Sequence, residues 1–151
     1  MVKGLFSVSQ PLPDIGRSLA VLHVDDDPMN LRVVDEILAA FGHMSVRAVS
    51  GAEALARLAE QPFDVVLMDV HMPQMTGIEA VRALRASGHA NASVPVIALT
   101  ADVVSRRPEE YRALGFQDLV AKPILVSGLL DAIKRVTTPA ASPADAVRRS
   151  A

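Results

Sequence analysis

The chain has no cysteine. That absence removes disulfides, thiolate nucleophiles and sulfur-ligated zinc together, and it suits a reducing cytoplasm, the expected compartment. Aromatic residues are scarce as well, at 3% of 151 residues, although half of the chain is hydrophobic. The core must therefore be built from Val, Leu, Ile, Ala and Met, a composition that suits a parallel sheet covered by helices. Neither sign of charge dominates, since 15 basic and 17 acidic side chains leave a formal net charge of -2. Such a balance offers no broad footprint for nucleic acid or an anionic membrane, so direct nucleic-acid binding is not expected. Long apolar runs are missing too. Met1 to Ser9 carries one lysine without a sustained apolar stretch or a small-residue cleavage signal, and no membrane insertion is expected. The length fits one domain with short tails.

What is present is a series of short apolar runs. Leu19 to Val24, Phe63 to Met68, Val94 to Leu99 and the weaker Leu119 to Ala121 lack polar alternation, as strands covered on both faces do. Met44 to Val49 is more mixed and reads as an edge strand. Between them lie segments of helical spacing. Val33, Val34, Ile37, Leu38 and Phe41 predict one buried stripe stopped by Gly42; Ala54, Leu55 and Leu58 mark a second helix. Ile78, Val81 and Leu84 mark a third that ends near Gly88, and a fourth is predicted from about Val103 to Leu114. Pro108 inside that fourth segment implies a break, or a restart with proline in the first turn. Leu125, Leu129, Leu130, Ile133 and Val136 give the fifth. Strand then helix, five times over, predicts a doubly wound α/β fold with a five-stranded parallel sheet and right-handed crossovers. The template it fits is the 2-1-3-4-5 order of flavodoxin and CheY, in which ligands sit beyond the carboxyl ends of the strands, at the switch point between strands 1 and 3.

Polar groups converge on that edge. Strand 1 runs into Asp25, Asp26 and Asp27, strand 3 into Asp69, strand 4 into Thr100, and strand 5 into Lys122 and Pro123. Asp27 before Pro28 reads as the N-cap of helix 1. Any of the others alone could be a cap or a solvated side chain. Together they describe a site. Adjacent carboxylates repel unless a cation joins them, and an oxygen-rich set with no imidazole or thiolate suits Mg²⁺. Asp69 can then act as a nucleophile that forms an acyl phosphate, Lys122 can supply a cation to a phosphoryl oxygen, and the Thr100 hydroxyl can donate to another.

At this point the chain resembles the receiver domains of two-component response regulators. The strings VDDDP from Val24, LMDVHMPQMTG from Leu67, ALTA from Ala98 and AKPI from Ala121 match the family's four signatures in order, over about Leu19 to Val136. The resemblance implies that Asp69 takes a phosphoryl group from a histidine kinase or a histidine phosphotransfer protein. It also implies Mg²⁺ (or Mn²⁺) held by Asp26 and Asp69, by Asp25 through water, and by the His71 backbone carbonyl. Thr100, Ala101 and position 119 are the family's switch, Gly77 allows the turn into helix 3, and the Lys122–Pro123 bond is often cis. A homodimer through the face of helix 4, strand 5 and helix 5 is a further family expectation. The activity implied is self-phosphorylation and autodephosphorylation rather than steady turnover.

One departure stands out, because the residue three before the lysine is commonly Tyr or Phe in the family and is Leu119 here. Residues 1–18 are expected to be an arm or linker, 19–136 the receiver, and 137–151 a disordered or weakly helical tail. Within the arm, Lys3 to Pro13 is similar to the last strand of a histidine-kinase ATP-binding domain and its exit, as found before receivers in hybrid kinases; the alternative is an arbitrary arm. Two other functions compete. Haloacid-dehalogenase-type phosphatases use a strand-end aspartate and Mg²⁺ but need an acid two residues later, where this chain has His71. A pseudo-receiver that only binds partners would lack an acid, the threonine or the lysine, and all are here. His23, His43 and His89 are expected to be structural or exposed.

Overall fold

The computed structural model describes residues 16–138. The proposed kinase-like arm at Lys3 to Pro13 and most of the expected tail lie outside them. Five βα units follow one another: β1 Ala20–Val24, α1 Pro28–Ala40, β2 Met44–Ala48, α2 Gly51–Glu60, β3 Val65–Asp69, α3 Gly77–Arg85, β4 Val96–Thr100, α4 Pro108–Leu114, β5 Asp118–Ala121 and α5 Val126–Thr137. The strands form one parallel sheet in the order β2-β1-β3-β4-β5. The five βα units are what the alternation of apolar runs and helical stripes predicts, the strand order is that of the matched template, and β2 lies on the edge as expected.

Because side chains alternate across a strand, each strand feeds two cores. Leu22, Val24, Val66, Met68, Val96 and Ala98 meet Ala54, Leu58, Ala80, Val81, Leu84 and Tyr111 of α2, α3 and α4. Val21, Val65, Leu67, Ile97 and Leu99 meet Val34, Leu38, Leu129, Ala132 and Ile133 of α1 and α5. The central strands β3 and β4 are buried at every position, which explains their lack of polar alternation.

Local chemistry sets the boundaries, and here some expectations need correction. The helix expected from Val103 begins at Pro108, at the first helical position, where its missing N–H costs nothing; residues before it form a loop. It ends at Gly115, which takes φ +112°. Strand β3 starts two residues later than expected and extends through Asp69, and just before it the Asp64 carboxylate accepts from the Ala20 N–H at 2.8 Å. In α1 the buried stripe runs through Leu31, Val34 and Leu38, while Val33 is 40% exposed. Leu125 caps the start of α5 and is exposed rather than buried. Asp27 is the N-cap of α1 as expected, accepting from the Met29 N–H at 3.0 Å.

Candidate functional site

Parallel strands point all their carboxyl ends to one edge, and the connections that leave β1, β3, β4 and β5 begin there. The register pairs Val24 with Met68, so Asp25 and Asp69, one residue further on each chain, emerge side by side where the sheet order reverses. Leu99 lies beside Asp69, and Thr100 beside Ala121, so Thr100 and Lys122 complete the same edge.

The acids differ in depth. Asp25 and Asp69 are buried, whereas Asp26 is exposed at the mouth, and carboxylate oxygens of all three lie within 4.8 Å of one another. Asp25 accepts from the Asp27 N–H at 2.9 Å, which ties the acidic turn to the start of α1. Lys122 reaches back across the edge, with Nζ 3.2 Å from Asp25 Oδ2 and 3.2 Å from Asp69 Oδ1. Sequence reasoning gave this lysine to a phosphoryl oxygen; here it joins the two buried carboxylates. The Lys122–Pro123 bond is cis.

Asp69 also accepts from the His71 N–H at 3.2 Å. Both contacts fall on Oδ1, so Oδ2 carries neither. Burial, and then the charge of Asp25, push the Asp69 carboxyl up to about 6, against the pull of Lys122 and the His71 amide. Burial pulls the Lys122 ammonium down, but Asp25 and Asp69 outweigh it and the net direction is upward. The pocket is thus overcharged with anion even with its lysine in place. A set of three oxygen donors of mixed depth that still lacks positive charge fits a hard divalent cation.

The remaining predicted residues lie around this centre. His71 is exposed at the rim and Ala101 is exposed in the β4–α4 loop. Thr100 is fully buried; it caps no helix, and its hydroxyl bonds to the backbone of Asp102. Leu119 is half-buried and packs against the core on the α2, α3 and α4 side. Gly77 is needed for a different reason from the turn expected. A Cβ there would lie 2.3 Å from the carbonyl oxygen of Asp69 and 3.0 Å from the Val70 Cα, so its backbone packs directly on the end of β3. Its N–H donates to the Val70 carbonyl at 2.9 Å. Behind it, Thr76 and Glu79 form a reciprocal capping box that fixes the start of α3.

One residue beside the site, Asp102, was not singled out from the sequence, and His23, expected to be structural or exposed, is buried in the sheet. Asp102 holds the β4–α4 loop, with a signal in retrospect: an acid two residues after the threonine, followed by residues of a turn. His23 lies in β1, wholly buried, with neither ring nitrogen hydrogen-bonded, and burial lowers it to about 4. His43 is also buried, and its Nδ1 accepts from the Leu19 N–H at 3.1 Å.

Among curated proteins, the signal transduction histidine-protein kinase BarA of Escherichia coli K12 is 36% identical over 107 residues, 71% of this chain. The chain spans only 12% of that kinase. Among solved structures, chemotaxis protein CheY4 of Vibrio cholerae is 33% identical with a TM-score of 0.73, over 80% of this chain and 99% of that one. The receiver domain of sensor histidine kinase PA1611 from Pseudomonas aeruginosa PAO1 is 30% identical with a TM-score of 0.73, over 82% of this chain and all of that one. That structure has a magnesium ion coordinated in its active-site cleft. The model of the response regulator receiver domain matches residues 21–134. With the fold, the strand-end acids and this match in agreement, the chain belongs to the response regulator receiver domain family of two-component signal transduction.

Proposed function

We propose that Asp69 is the phosphoacceptor, taking a phosphoryl group from a phosphohistidine on a histidine kinase or phosphotransfer protein. The observation that carries the reading is the position of Lys122, whose ammonium lies 3.2 Å from both buried carboxylates at the end of the sheet. In the transfer, an Asp69 carboxylate oxygen forms the new P–O bond while the P–N bond to the donor imidazole breaks, and the imidazole leaves with the electron pair. Lys122 shifts its ammonium from the carboxylates to a phosphoryl oxygen, and the Thr100 hydroxyl donates a hydrogen bond to a second one. Asp26 and Asp69 directly, Asp25 through water and the His71 carbonyl would hold Mg²⁺ or Mn²⁺, which supplies the charge neutralisation that three acids and one lysine lack. Asp69 stays ionised under that charge, which the reaction requires of a nucleophile.

The chain's place in a longer hybrid kinase is part of the same proposal, as is a cytoplasmic location; BarA, of which it matches a small part, is a signal transduction histidine-protein kinase by name. Output is proposed to leave through Thr100, Ala101 and the face of α4, β5 and α5, with that face also offered for a homodimer. Leucine at position 119 lacks a ring and a hydroxyl, so its differential burial is worth about 1 kcal/mol or less at about 25 cal/mol per Å². The signal then passes mainly through the backbone of the β4–α4 loop. The haloacid-dehalogenase reading gains no support, since the position two after Asp69 holds His71 on the rim.

Intact-mass measurement tests the acceptor. With Mg²⁺ and acetyl phosphate, or a cognate phosphohistidine protein, the wild type gains roughly 80 Da, and Asp69→Asn does not. Equal labelling of the variant would show that another residue is the acceptor.

A further inference from the structure

Thr100 must donate a hydrogen bond to the phosphoryl group in the reading above, yet its one proton is already engaged. Thr100 Oγ1 accepts from the Asp102 N–H at 3.0 Å and donates to the Asp102 carbonyl oxygen at 3.3 Å. A threonine hydroxyl has a single proton. While it points to Asp102, it cannot point to an oxygen on Asp69.

The residue that receives it is fixed in turn by its own side chain. Asp102 Oδ1 accepts from the Val104 N–H at 3.1 Å and the Ser105 N–H at 3.0 Å, closing a turn on the loop between β4 and α4. Hydrogen bonds from Ser105, with that of Val104, hold its carboxyl below the usual carboxylate range, so the charged form is the one the turn selects. The carboxylate therefore sets the turn, and the turn presents the backbone N–H and carbonyl that occupy Thr100. The same turn carries Val103 and Val104, which are 49% and 90% exposed beside the site. A rearrangement of the turn changes which apolar groups a partner meets.

We infer that Asp102 is a positioning residue that holds Thr100 in the resting arrangement and opposes its capture by a phosphoryl group on Asp69. The inference rests on the acceptor reading above. Its energetic content is local: a phosphoryl group must displace the Thr100 proton from Asp102 and loosen a turn held by two further hydrogen bonds. Removing the carboxylate lowers that cost without touching the acids or Lys122.

The test is a double-mutant cycle on beryllofluoride affinity with Mg²⁺, the probe standing in for the phosphoryl group. Asp102→Ala keeps the backbone groups that bind Thr100 and removes only what fixes them. It is expected to tighten beryllofluoride by about three- to tenfold, the worth of one or two modest hydrogen bonds. Asp102→Asn retains an acceptor oxygen without the charge and should fall between the wild type and Asp102→Ala. In a Thr100→Ala background the gain from Asp102→Ala should vanish, because there is no hydroxyl left to release. A gain of the same size in both backgrounds means that Asp102 merely stiffens the loop, and it overturns the inference. So does an Asp102→Ala protein that binds like the wild type. If the wild type takes neither beryllofluoride nor phosphoryl mass, the acceptor reading itself falls and this inference with it; if it takes both, only the role of Asp102 is in question.

Discussion

Asp69→Asn should make the metal-free protein more stable, against the usual result of cutting a buried ion pair. The substitution is nearly isosteric, keeps an oxygen for the His71 N–H and leaves Lys122 paired with Asp25 at 3.2 Å. What it removes is a carboxylate whose pKa is raised from 3.8 to about 6 in the folded protein, a value already net of the pull of Lys122. At 1.36 kcal/mol per tenfold change in proton affinity, keeping this group ionised costs about 3 kcal/mol above pH 6. Solvent at the cleft mouth screens part of that, leaving about 1 to 2 kcal/mol. The sign follows from the raised value: the folded state binds the proton more tightly, so the cost is fully present above pH 6. It is relieved as pH falls from about 6 toward 3.8. Urea titrations in EDTA, followed by circular dichroism, should find the variant more stable by about 1 to 2 kcal/mol at pH 7.5 and equal to the wild type near pH 4. Mg²⁺ should close the gap by stabilising the wild type selectively. A variant less stable than the wild type in EDTA at pH 7.5 would refute the claim that the site is overcharged.

Asp26→Ala should weaken Mg²⁺ binding by at least about tenfold in a calorimetric titration while leaving the fold intact, since this acid is exposed; unchanged affinity would exclude it as a ligand. Gly77→Ala should cost about 1 to 3 kcal/mol in chemical denaturation and slow labelling of Asp69, because the added carbon meets the Asp69 carbonyl oxygen at 2.3 Å. Wild-type stability from this close approach would mean that the α3 start moves freely. His23→Leu should flatten the acid limb of the stability curve, since burial lowers the histidine from 6.5 to about 4. The unfolded chain then takes up the proton first, and stability falls from pH 6.5 down to about 4, by up to about 3 kcal/mol. Identical acid limbs in the two proteins would remove His23 from that account.

The sheet was legible because β1, β3 and β4 are covered on both faces, a place that favours near-continuous apolar runs even though β1 also buries His23. The helices were legible in outline and less so at their ends. Val33 fits the stripe of α1 by spacing as well as Leu31 does, yet the first is exposed and the second buried. Pro108 carried its own boundary signal, and the physics of its missing N–H decides between a break and a restart in favour of the restart.

The site was legible for a topological reason. In a parallel sheet the residue after each apolar run comes to the same edge, so position in sequence becomes position in space at Asp25, Asp69, Thr100 and Lys122 without any knowledge of side chains. Which of them touch is a different question, answered by side-chain reach rather than by order. Lys122 can extend back over two strands, and so it joins Asp25 to Asp69. Thr100 cannot, and so its short hydroxyl finds the nearest backbone, that of Asp102. The chemistry proposed for the site needs both of these contacts to break, because the phosphoryl oxygens must take the lysine from the carboxylates and the hydroxyl from the loop. On that proposal the resting structure is a set of contacts that compete with phosphorylation of Asp69, and their combined strength sets how far a switch would go.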